Sequence, residues 1–380
     1  MVNAIKVFKK QSPNEKITAY LSRRDFSDRR THTEPVDGVV VVDADYLQGR
    51  KVFTRVVLTY RYGREEDEVM GLKFSKEFEL VHAEVVPPDG EKGLSALQEK
   101  IVKKVGGNAI PFSVALPDPA PCSVALDPGS DESLPRQSKM LGVSYELSFY
   151  VSGDKEEDPK PADTVTFSVR KVQFAPIDPD HRQPQLLVRR NYTLSPGSLV
   201  LDISLGRDIY FHGDEIEAHV TIANSSKKTV KAIGADVIQH VDITMTNMYY
   251  TRVVASLESR DGCPVIPGAT LSRSIGLRPL VANTSRFGVA LDGHAKDKDA
   301  SLGSSTICNA SCSVNDCLGI LVSYSFRLRL NCGAIGGEIS CELPFKLMHP
   351  DPSAPTVEDD LDIEDFTRLR RGKSFEALEE

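Results

Sequence analysis

The chain has 380 residues, which is long for a single core and suggests two domains. Its composition, 40% hydrophobic and 26% charged, is that of a globular protein, and the net charge of −8 argues against a general nucleic-acid binder. No apolar run approaches the roughly 20 residues that span a bilayer, and the start lacks the apolar core of a signal peptide. These features predict a cytoplasmic protein.

Charge is distributed unevenly between the two ends of the chain. The first 30 residues contain eight Lys or Arg and three acidic residues, whereas the segment 358–365 contains six acidic residues. Opposite charge at the two ends suggests an intramolecular contact. A solubilising tail that touches nothing is the alternative.

Alternation of apolar and polar residues dominates the chain and predicts half-buried strands. The stretches with this pattern are 52–62, 74–86, 141–151, 199–205, 216–223, 230–241 and 320–330. Strands of this kind, separated by turns rich in Gly, Pro and Asp, predict an all-β protein of antiparallel sheets packed face to face, as in immunoglobulin-like sandwiches.

One segment, 93–107, has the periodicity of a helix instead. Leu94, Leu97, Ile101 and Val105 fall on one stripe, and the Gly pair at its end is a plausible stop. It predicts one short helix in the N-terminal domain.

Arg170 interrupts the strand pattern of the segment 165–176. Apolar residues occupy the odd positions from 165 to 169 and then the even positions 172 and 174, so that Arg170 shares a face with Val172 and Phe174. A guanidinium on such a face must either reach water or be met by carboxylates, because an isolated buried charge is very costly.

Composition also predicts the domain boundaries. The segment 175–185 has three prolines and few apolar residues, which is typical of a hinge, and the chain beyond Pro350 is rich in Pro and acidic residues. We therefore expect an N-terminal β-sandwich at 1–176, a hinge at 177–185, a C-terminal β-sandwich at 186–350 and an acidic regulatory tail at 351–380.

The sequence contains no catalytic motif and predicts neither an enzyme nor a cofactor or metal site. The eight histidines are scattered, and the cysteines at 308, 312 and 317 lack a paired C-x2-C or a nearby histidine. Gly372-Lys373-Ser374 lacks the first glycine of a phosphate-binding loop. Because Arg371 precedes it, Ser374 is instead a candidate phosphorylation site.

The segments taken together resemble the arrestin family. The motifs that carry the resemblance are VFKK at 7–10, YLSRRDF at 20–26, PVDGVV at 35–40, YGRE at 62–65, PCSV at 121–124, VRKVQFAP at 169–176, ALDG at 290–293, LGILVSY at 318–324 and ELPFKLMHP at 342–350. The resemblance implies two seven-stranded β-sandwiches joined by a hinge. It also implies binding to an activated, phosphorylated G-protein-coupled receptor and termination of its G-protein signalling.

By this resemblance Arg170 is a phosphate sensor, buried in a balanced charge cluster that receptor phosphates release. The other members of this implied polar-core switch are Asp25, Asp292, Asp299 and Arg368, with Asp297 as an alternative to Asp299. Residues implied to bind receptor phosphates are Lys9, Lys10, Arg24, Lys103, Lys104 and Lys296. The implied finger loop, which enters the receptor, consists of Gly63, Arg64, Glu65, Glu66, Asp67, Glu68, Val69, Met70, Gly71 and Leu72.

The tail predicts the subtype. It has no clathrin-box match, and Ile363 replaces the first aromatic residue of the adaptor-binding motif, so binding to clathrin and its adaptor is doubtful. Leu361, Ile363 and Phe366 are the residues expected to dock the tail, and the segment 331–337 is a candidate membrane edge. A compact tail resembles that of a visual arrestin, and we expect an invertebrate one that binds rhodopsin. The alternative is a β-arrestin-like endocytic and signalling adaptor.

Overall fold

The computed structural model describes residues 5–29, 32–68, 70–86, 94–106, 108–127, 140–154, 159–176, 182–192, 196–246, 248–283, 288–292, 301–307, 319–350 and 361–365. The strands of the first half are β1 (Ile5–Gln11), β2 (Ile17–Leu21), β3 (Asp25–Asp28), β4 (Val36–Val42), β5 (Lys51–Arg61), β6 (Ser75–Glu84), β7 (Ala109–Val114), β8 (Val124–Leu126), β9 (Leu141–Ser152) and β10 (Val165–Gln173). The later strands are β11 (Gln185–Asn191), β12 (Ser198–Leu205), β13 (Ile209–Phe211), β14 (Ile216–Asn224), β15 (Ala232–Ile243), β16 (Met248–Ser259), β17 (Thr270–Leu277), β18 (Ala290–Asp292), β19 (Ser301–Leu302), β20 (Ile320–Asn331), β21 (Glu338–Met348) and β22 (Leu361–Asp365). The helices are α1 (Ala44–Leu47), α2 (Ala96–Val105) and α3 (Gly333–Gly336).

The strands form four sheets, two in each domain. The N-terminal domain has a five-stranded sheet in the order β22–β1–β2–β4–β7 and an eight-stranded sheet that contains β19–β18–β8–β9–β10–β3 together with β5 and β6. The C-terminal domain has a four-stranded sheet, β11–β12–β14–β17, and a five-stranded sheet, β13–β21–β20–β15–β16. Each domain as described therefore contains more than the seven strands that the resemblance implies for each sandwich.

The predicted strands form as the alternation indicates. All seven stretches of alternation are strands, and together they confirm the all-β prediction. In β9 the inward positions Leu141, Val143, Tyr145 and Leu147 are buried, because alternate side chains of a strand face opposite sides of the sheet. None of the helices in the described ranges is long and apolar enough to cross a membrane.

The helix predicted over 93–107 is present as α2. Ser95 and Gln98 form a capping box: Ser95 Oγ accepts a hydrogen bond from the Gln98 amide at 3.2 Å, and Gln98 Oε1 accepts one from the Ser95 amide at 3.0 Å. Ile101 is buried in a cluster with Val39 of β4. The one-turn helices α1 and α3 were not predicted, because four residues are too few to display helical periodicity.

The second half of the chain contributes two short strands to the N-terminal domain. β18 pairs antiparallel with β8, with Ala290 opposite Leu126 and Leu291 opposite Ala125, and β19 pairs with β18. From the C-terminal domain, the Gln239 amide accepts a hydrogen bond from Ala290 N at 2.8 Å and donates one to Ala290 O at 2.9 Å. Strand β18 is thus fixed to both domains.

Candidate functional site

Strand β10 keeps one side-chain phase along its whole length. Its odd positions face the core, so Lys171 and Gln173 continue the inward row that begins at Val165. The side chain of Arg170 lies on the other face and is 33% exposed, against 2% for Lys171. The expectation of a phase change that buries Arg170 is therefore wrong, and the buried cation is Lys171.

Arg170 is paired with Asp25 across two adjacent strands. β10 runs parallel to β3, and the register places Arg170 opposite Asp25. Arg170 Nε donates to Asp25 Oδ1 at 2.8 Å, and Arg170 Nη2 donates to Asp25 Oδ2 at 2.8 Å. Such a bidentate pair is the strongest arrangement of a guanidinium and a carboxylate, and it fixes both groups in one plane. The predicted switch residues Arg170 and Asp25 are therefore in direct contact.

Lys171 is a functional-site neighbour that the sequence reasoning missed. Its ammonium donates to Ala120 O at 2.7 Å and to Asp118 O at 3.3 Å, and it lies 3.1 Å from Asp28 Oδ2. The lysine can be buried because a carboxylate and two carbonyl oxygens surround its charge. The signal that could have identified it is the unbroken alternation from 165 to 173, in which a lysine and a glutamine occupy inward positions.

Asp292, a third predicted switch residue, ends strand β18 in a polar cluster of its own. Its carboxylate accepts hydrogen bonds from Ser304 N at 3.0 Å, from Ser304 Oγ at 2.7 Å and from His349 Nε2 at 2.7 Å. His212 Nε2 lies 3.7 Å from Asp292 Oδ2 and 2.9 Å from Ser304 Oγ. Neither histidine belongs to a motif that is visible in the sequence.

The surroundings of Asp292 shift the pKa values of both partners. Burial alone raises the pKa of the Asp292 carboxyl, but the hydrogen bond and charge of His349, the charge of His212 and the hydrogen bond of Ser304 together hold that pKa below its ordinary value. Burial lowers the pKa of His212 to about 4 despite the opposing charge of Asp292. At neutral pH, Asp292 is therefore ionised and His212 is neutral.

Five of the six predicted phosphate-binding residues lie on two elements of the N-terminal domain and on the turn before β3, and the sixth, Lys296, lies outside the described residues. Lys9 and Lys10 are half-buried on β1, and Lys103 and Lys104 are exposed in the last turn of α2. Lys10 Nζ donates to the carbonyl oxygen of Thr166. Arg24, next to Asp25, donates from Nε to Ser168 O at 3.0 Å. Contacts with β10 thus position Lys10 and Arg24.

The acidic tail pairs with the basic strand at the start of the chain. β22 lies parallel to β1 at the edge of the five-stranded sheet. In this register Lys6 is opposite Asp362, and Lys9 is opposite Asp365. Leu361 and Ile363 occupy β22 positions opposite Ile5 and Val7. The backbone of the tail thus covers the edge of the strand that contains Lys9 and Lys10.

Two family models match most of the sequence: "Arrestin (or S-antigen), N-terminal domain" over residues 17–174 and "Arrestin (or S-antigen), C-terminal domain" over residues 195–352. The chain belongs to the arrestin family. An "Arrestin homolog" of Locusta migratoria is 47% identical over 359 residues, which cover 94% of this chain and 87% of the relative. "Phosrestin-1" of Drosophila melanogaster is 46% identical over 363 residues, 94% of this chain and 88% of the relative. "Arrestin, lateral eye" of Limulus polyphemus is 46% identical over 350 residues, which cover 92% of this chain and 86% of the relative.

Family membership gives this arrestin its general function. Arrestins bind active, phosphorylated G-protein-coupled receptors and terminate their G-protein signalling, and this is the function of the chain. The family consists of non-enzymatic signalling adaptors. The relatives named above come from arthropods, which confirms the resemblance to invertebrate arrestins and does not favour the endocytic-adaptor alternative.

The predicted finger loop of this arrestin is the hairpin between β5 and β6. A 3₁₀ turn at Glu65–Asp67 starts the loop, and Met70 and Leu72 near its tip are exposed. At its base, Glu68 Oε1 accepts hydrogen bonds from Arg61 Nη1 and from the amide of Phe74, both at 3.0 Å. The base is therefore braced while apolar side chains project from the tip.

Other predicted residues of the arrestin fall elsewhere. The segment 331–337, the candidate membrane edge, connects β20 to β21 and contains α3. Predicted residues that lie outside the described ranges are Val69, Lys296, Asp299, Phe366, Arg368 and Ser374. Of the predicted switch residues within the described ranges, Arg170 pairs with Asp25 and Asp292 pairs with His349, and Lys171 beside Arg170 pairs with Asp28.

Proposed function

We propose that this arrestin binds a light-activated, phosphorylated rhodopsin-type receptor and blocks its G protein sterically. The support for a visual receptor is similarity to the arrestin named for the lateral eye of Limulus polyphemus, together with the compact tail. The protein is cytoplasmic at rest and moves to receptor-containing membranes when the receptor is activated.

The single observation that carries the mechanism is the pairing of β22 with β1. The tail occupies the edge of a strand that contains Lys9 and Lys10, and its acidic residues stand opposite lysines in the register. Receptor phosphates, each with up to about two negative charges, compete with this tail for the basic surface formed by β1, Arg24 and the end of α2. Lys296, which lies outside the described residues, is proposed to bind receptor phosphates as well. Displacement of β22 then frees the edge of β1.

The Arg170–Asp25 pair is the second part of the proposed latch. Because the guanidinium is one-third exposed, a phosphate can reach it without first unfolding its surroundings. A phosphate that binds Arg170 replaces the carboxylate of Asp25 with a ligand of higher charge. Asp292, Asp299 and Arg368 are the proposed remaining members, which join the tail and the second half of the chain to this pair.

The finger loop provides the contact with the receptor core. Exposed Met70 and Leu72 suit an apolar wall, and the acidic residues at 65–68 suit a wet entrance. The segment 331–337, which consists mainly of small, uncharged residues, contacts lipid at the edge of the C-terminal domain. Binding of this tail to clathrin or its adaptor is not part of the proposal.

Co-sedimentation with photoreceptor membranes tests the proposed function. Membranes would be dark or illuminated, and phosphorylated or dephosphorylated, and the fraction of full-length arrestin in the pellet would be measured in all four. We expect the largest fraction with illuminated, phosphorylated membranes. Equal sedimentation in dark and illuminated samples would refute binding to the active visual receptor, and indifference to phosphate would refute the phosphate latch.

A further inference from the structure

Three potential metal ligands meet where the two domains join. His212 follows β13, His349 follows β21, and Asp292 ends β18, which belongs to the N-terminal sheet. Their ligand atoms all lie within 4.8 Å of one another. The sequence shows no ligand spacing because these residues come from three distant segments, and only the fold brings them together.

The distances are close to those of a tetrahedral site. His349 Nε2 lies 2.7 Å and His212 Nε2 lies 3.7 Å from the same oxygen, Asp292 Oδ2. An ion with ligands at about 2.0–2.1 Å requires ligand atoms about 3.3 Å apart. The two measured distances fall on either side of this value, so displacements of about 0.5 Å give the required separations.

The carboxylate ligand is held in place by a neighbouring backbone amide. Ser304 N donates to Asp292 Oδ1 at 3.0 Å, which orients the carboxylate as an outer-shell partner of a metal ligand does. Two imidazoles and one carboxylate are a donor set for zinc-like transition ions, whereas calcium and magnesium prefer oxygen ligands alone.

We propose that His212, Asp292 and His349 bind one divalent transition-metal ion of the zinc class, with water at the remaining position. The ion connects the N-terminal sheet, through β18, to the ends of β13 and β21 in the C-terminal domain. Because it binds only when the three segments are together, the ion stabilises this arrangement of the two domains. The proposal is independent of which receptor the arrestin binds.

Equilibrium dialysis of untagged full-length protein against zinc chloride tests the site. We expect one bound zinc ion per chain, and at least about a tenfold weaker affinity in His212→Asn and in His349→Gln. His219→Asn is the matched control, because His219 is an exposed histidine of β14 that lies 2.8 Å from Ser274 Oγ and belongs to no such cluster among the described residues. Replacement of Cys308, Cys312 and Cys317 by serine separates this site from thiol ligands. Magnesium chloride is expected not to compete.

A second measurement on the unaltered protein covers the case in which a variant does not fold. Zinc should protect His212 and His349, but not His219, from modification by diethyl pyrocarbonate, with each site located by mass spectrometry. Zinc binding that persists in folded His212→Asn, or that disappears in the cysteine variant alone, would overturn the proposal. So would equal modification of His212 and His349 with and without zinc.

Discussion

Arg170 and Lys171 are neighbouring cations in opposite environments. Lys171 is enclosed by Asp28 and two carbonyl oxygens, so its charge is satisfied by the fold itself. Arg170 has a planar fork that matches the carboxylate of Asp25 and yet stays within reach of solvent. Lys171 is therefore suited to a structural role, and Arg170 is suited to exchange its partner.

The alternation in the sequence indicated the wrong faces for these two residues because both faces of this strand are covered at its end. Phe174 is an outward residue, yet its backbone bridges to His349 and its ring centroid lies 6.1 Å from that of His349. Its apolar character reflects a contact with the C-terminal domain, not the N-terminal core. An alternating pattern indicates phase correctly when only one face of a strand is buried. Here Phe174, on the other face, contacts the C-terminal domain, so its apolar side chain looked like a change of phase.

Replacement of Arg170 by Glu tests the latch at the level of one residue. Arg170→Glu places two carboxylates opposite each other across β10 and β3, so repulsion replaces a bidentate pair. We expect binding to active, unphosphorylated receptor to rise by about tenfold, which corresponds to a loss of about 1.4 kcal/mol from the latch. Co-sedimentation with illuminated, dephosphorylated membranes measures the change.

Two further variants control this result. Arg278→Glu makes the same charge change at an exposed arginine 4.0 Å from Glu215 and should leave binding unaltered. Adding Asp25→Arg to Arg170→Glu restores an ion pair with reversed polarity and should lower binding to unphosphorylated receptor again. An Arg170→Glu variant that still requires phosphate would contradict the role of this pair.

Individual elements were predictable wherever a long stretch of chain carries one period. β9 and β20 have twelve residues each, and α2 has a stripe and a capping signal, so local pattern determines them. β18 and β19 have three and two residues. β18 pairs with β8, which is distant in sequence, and β19 pairs with β18. Their place in the N-terminal sheet depends on tertiary contact, which no local period encodes.

The docked tail is an intermediate case. Opposite charge at the two ends of the chain predicted a contact, but charge alone specifies neither a strand nor its direction. The parallel pairing of β22 with β1 adds the register that places Asp362 opposite Lys6 and Asp365 opposite Lys9. Register matters because it converts a general attraction into a strand that a receptor segment can replace.

Removal of the tail tests this element. In a chain without residues 355–380, the edge of β1 has no β22, and the lysines of β1 have no acidic segment beside them. We expect binding to illuminated, unphosphorylated membranes to rise and its dependence on phosphate to fall several-fold. Co-sedimentation at low and at physiological salt measures both effects. The difference in binding between the truncated and the full-length chain should be smaller at physiological salt, because salt screens the charges.

Charge variants separate register from net charge. Asp362→Lys with Asp365→Lys alters two β22 positions opposite lysines, whereas Glu358→Lys with Asp359→Lys makes the same change in net charge outside the strand. The first pair should reproduce the truncation and the second should have little effect. Equal effects of the two pairs would show that the tail acts through bulk charge and not through strand pairing.

At the scale of the whole molecule, hydrogen bonds join the two domains in addition to the chain that runs between them. Gln173 Oε1 accepts a hydrogen bond from Ile307 N at 3.2 Å, and Tyr60 Oη donates to Gly319 O at 2.8 Å. β18 completes the edge of the N-terminal sheet while Gln239 binds it to the C-terminal domain. A rotation that separates β8 from Gln239 must therefore break either the pairing of β18 with β8 or the hydrogen bonds between Ala290 and Gln239.

The contribution of the second half of the chain to the N-terminal sheet can be measured by comparing residues 1–176 with residues 1–354. Both chains lack β22, but only the longer one contains β18, so the edge of β8 is unpaired in the shorter one. We expect amide hydrogen exchange in peptides that cover Val124–Leu126 to be about tenfold faster or more in 1–176, because strand edges open more easily than paired strands. Peptides from the centre of β9 and β5 are the internal control and should stay protected in both chains. Equal protection of β8 in the two chains would mean that the N-terminal sheet is complete without β18, and that domain rotation could proceed without disturbing it.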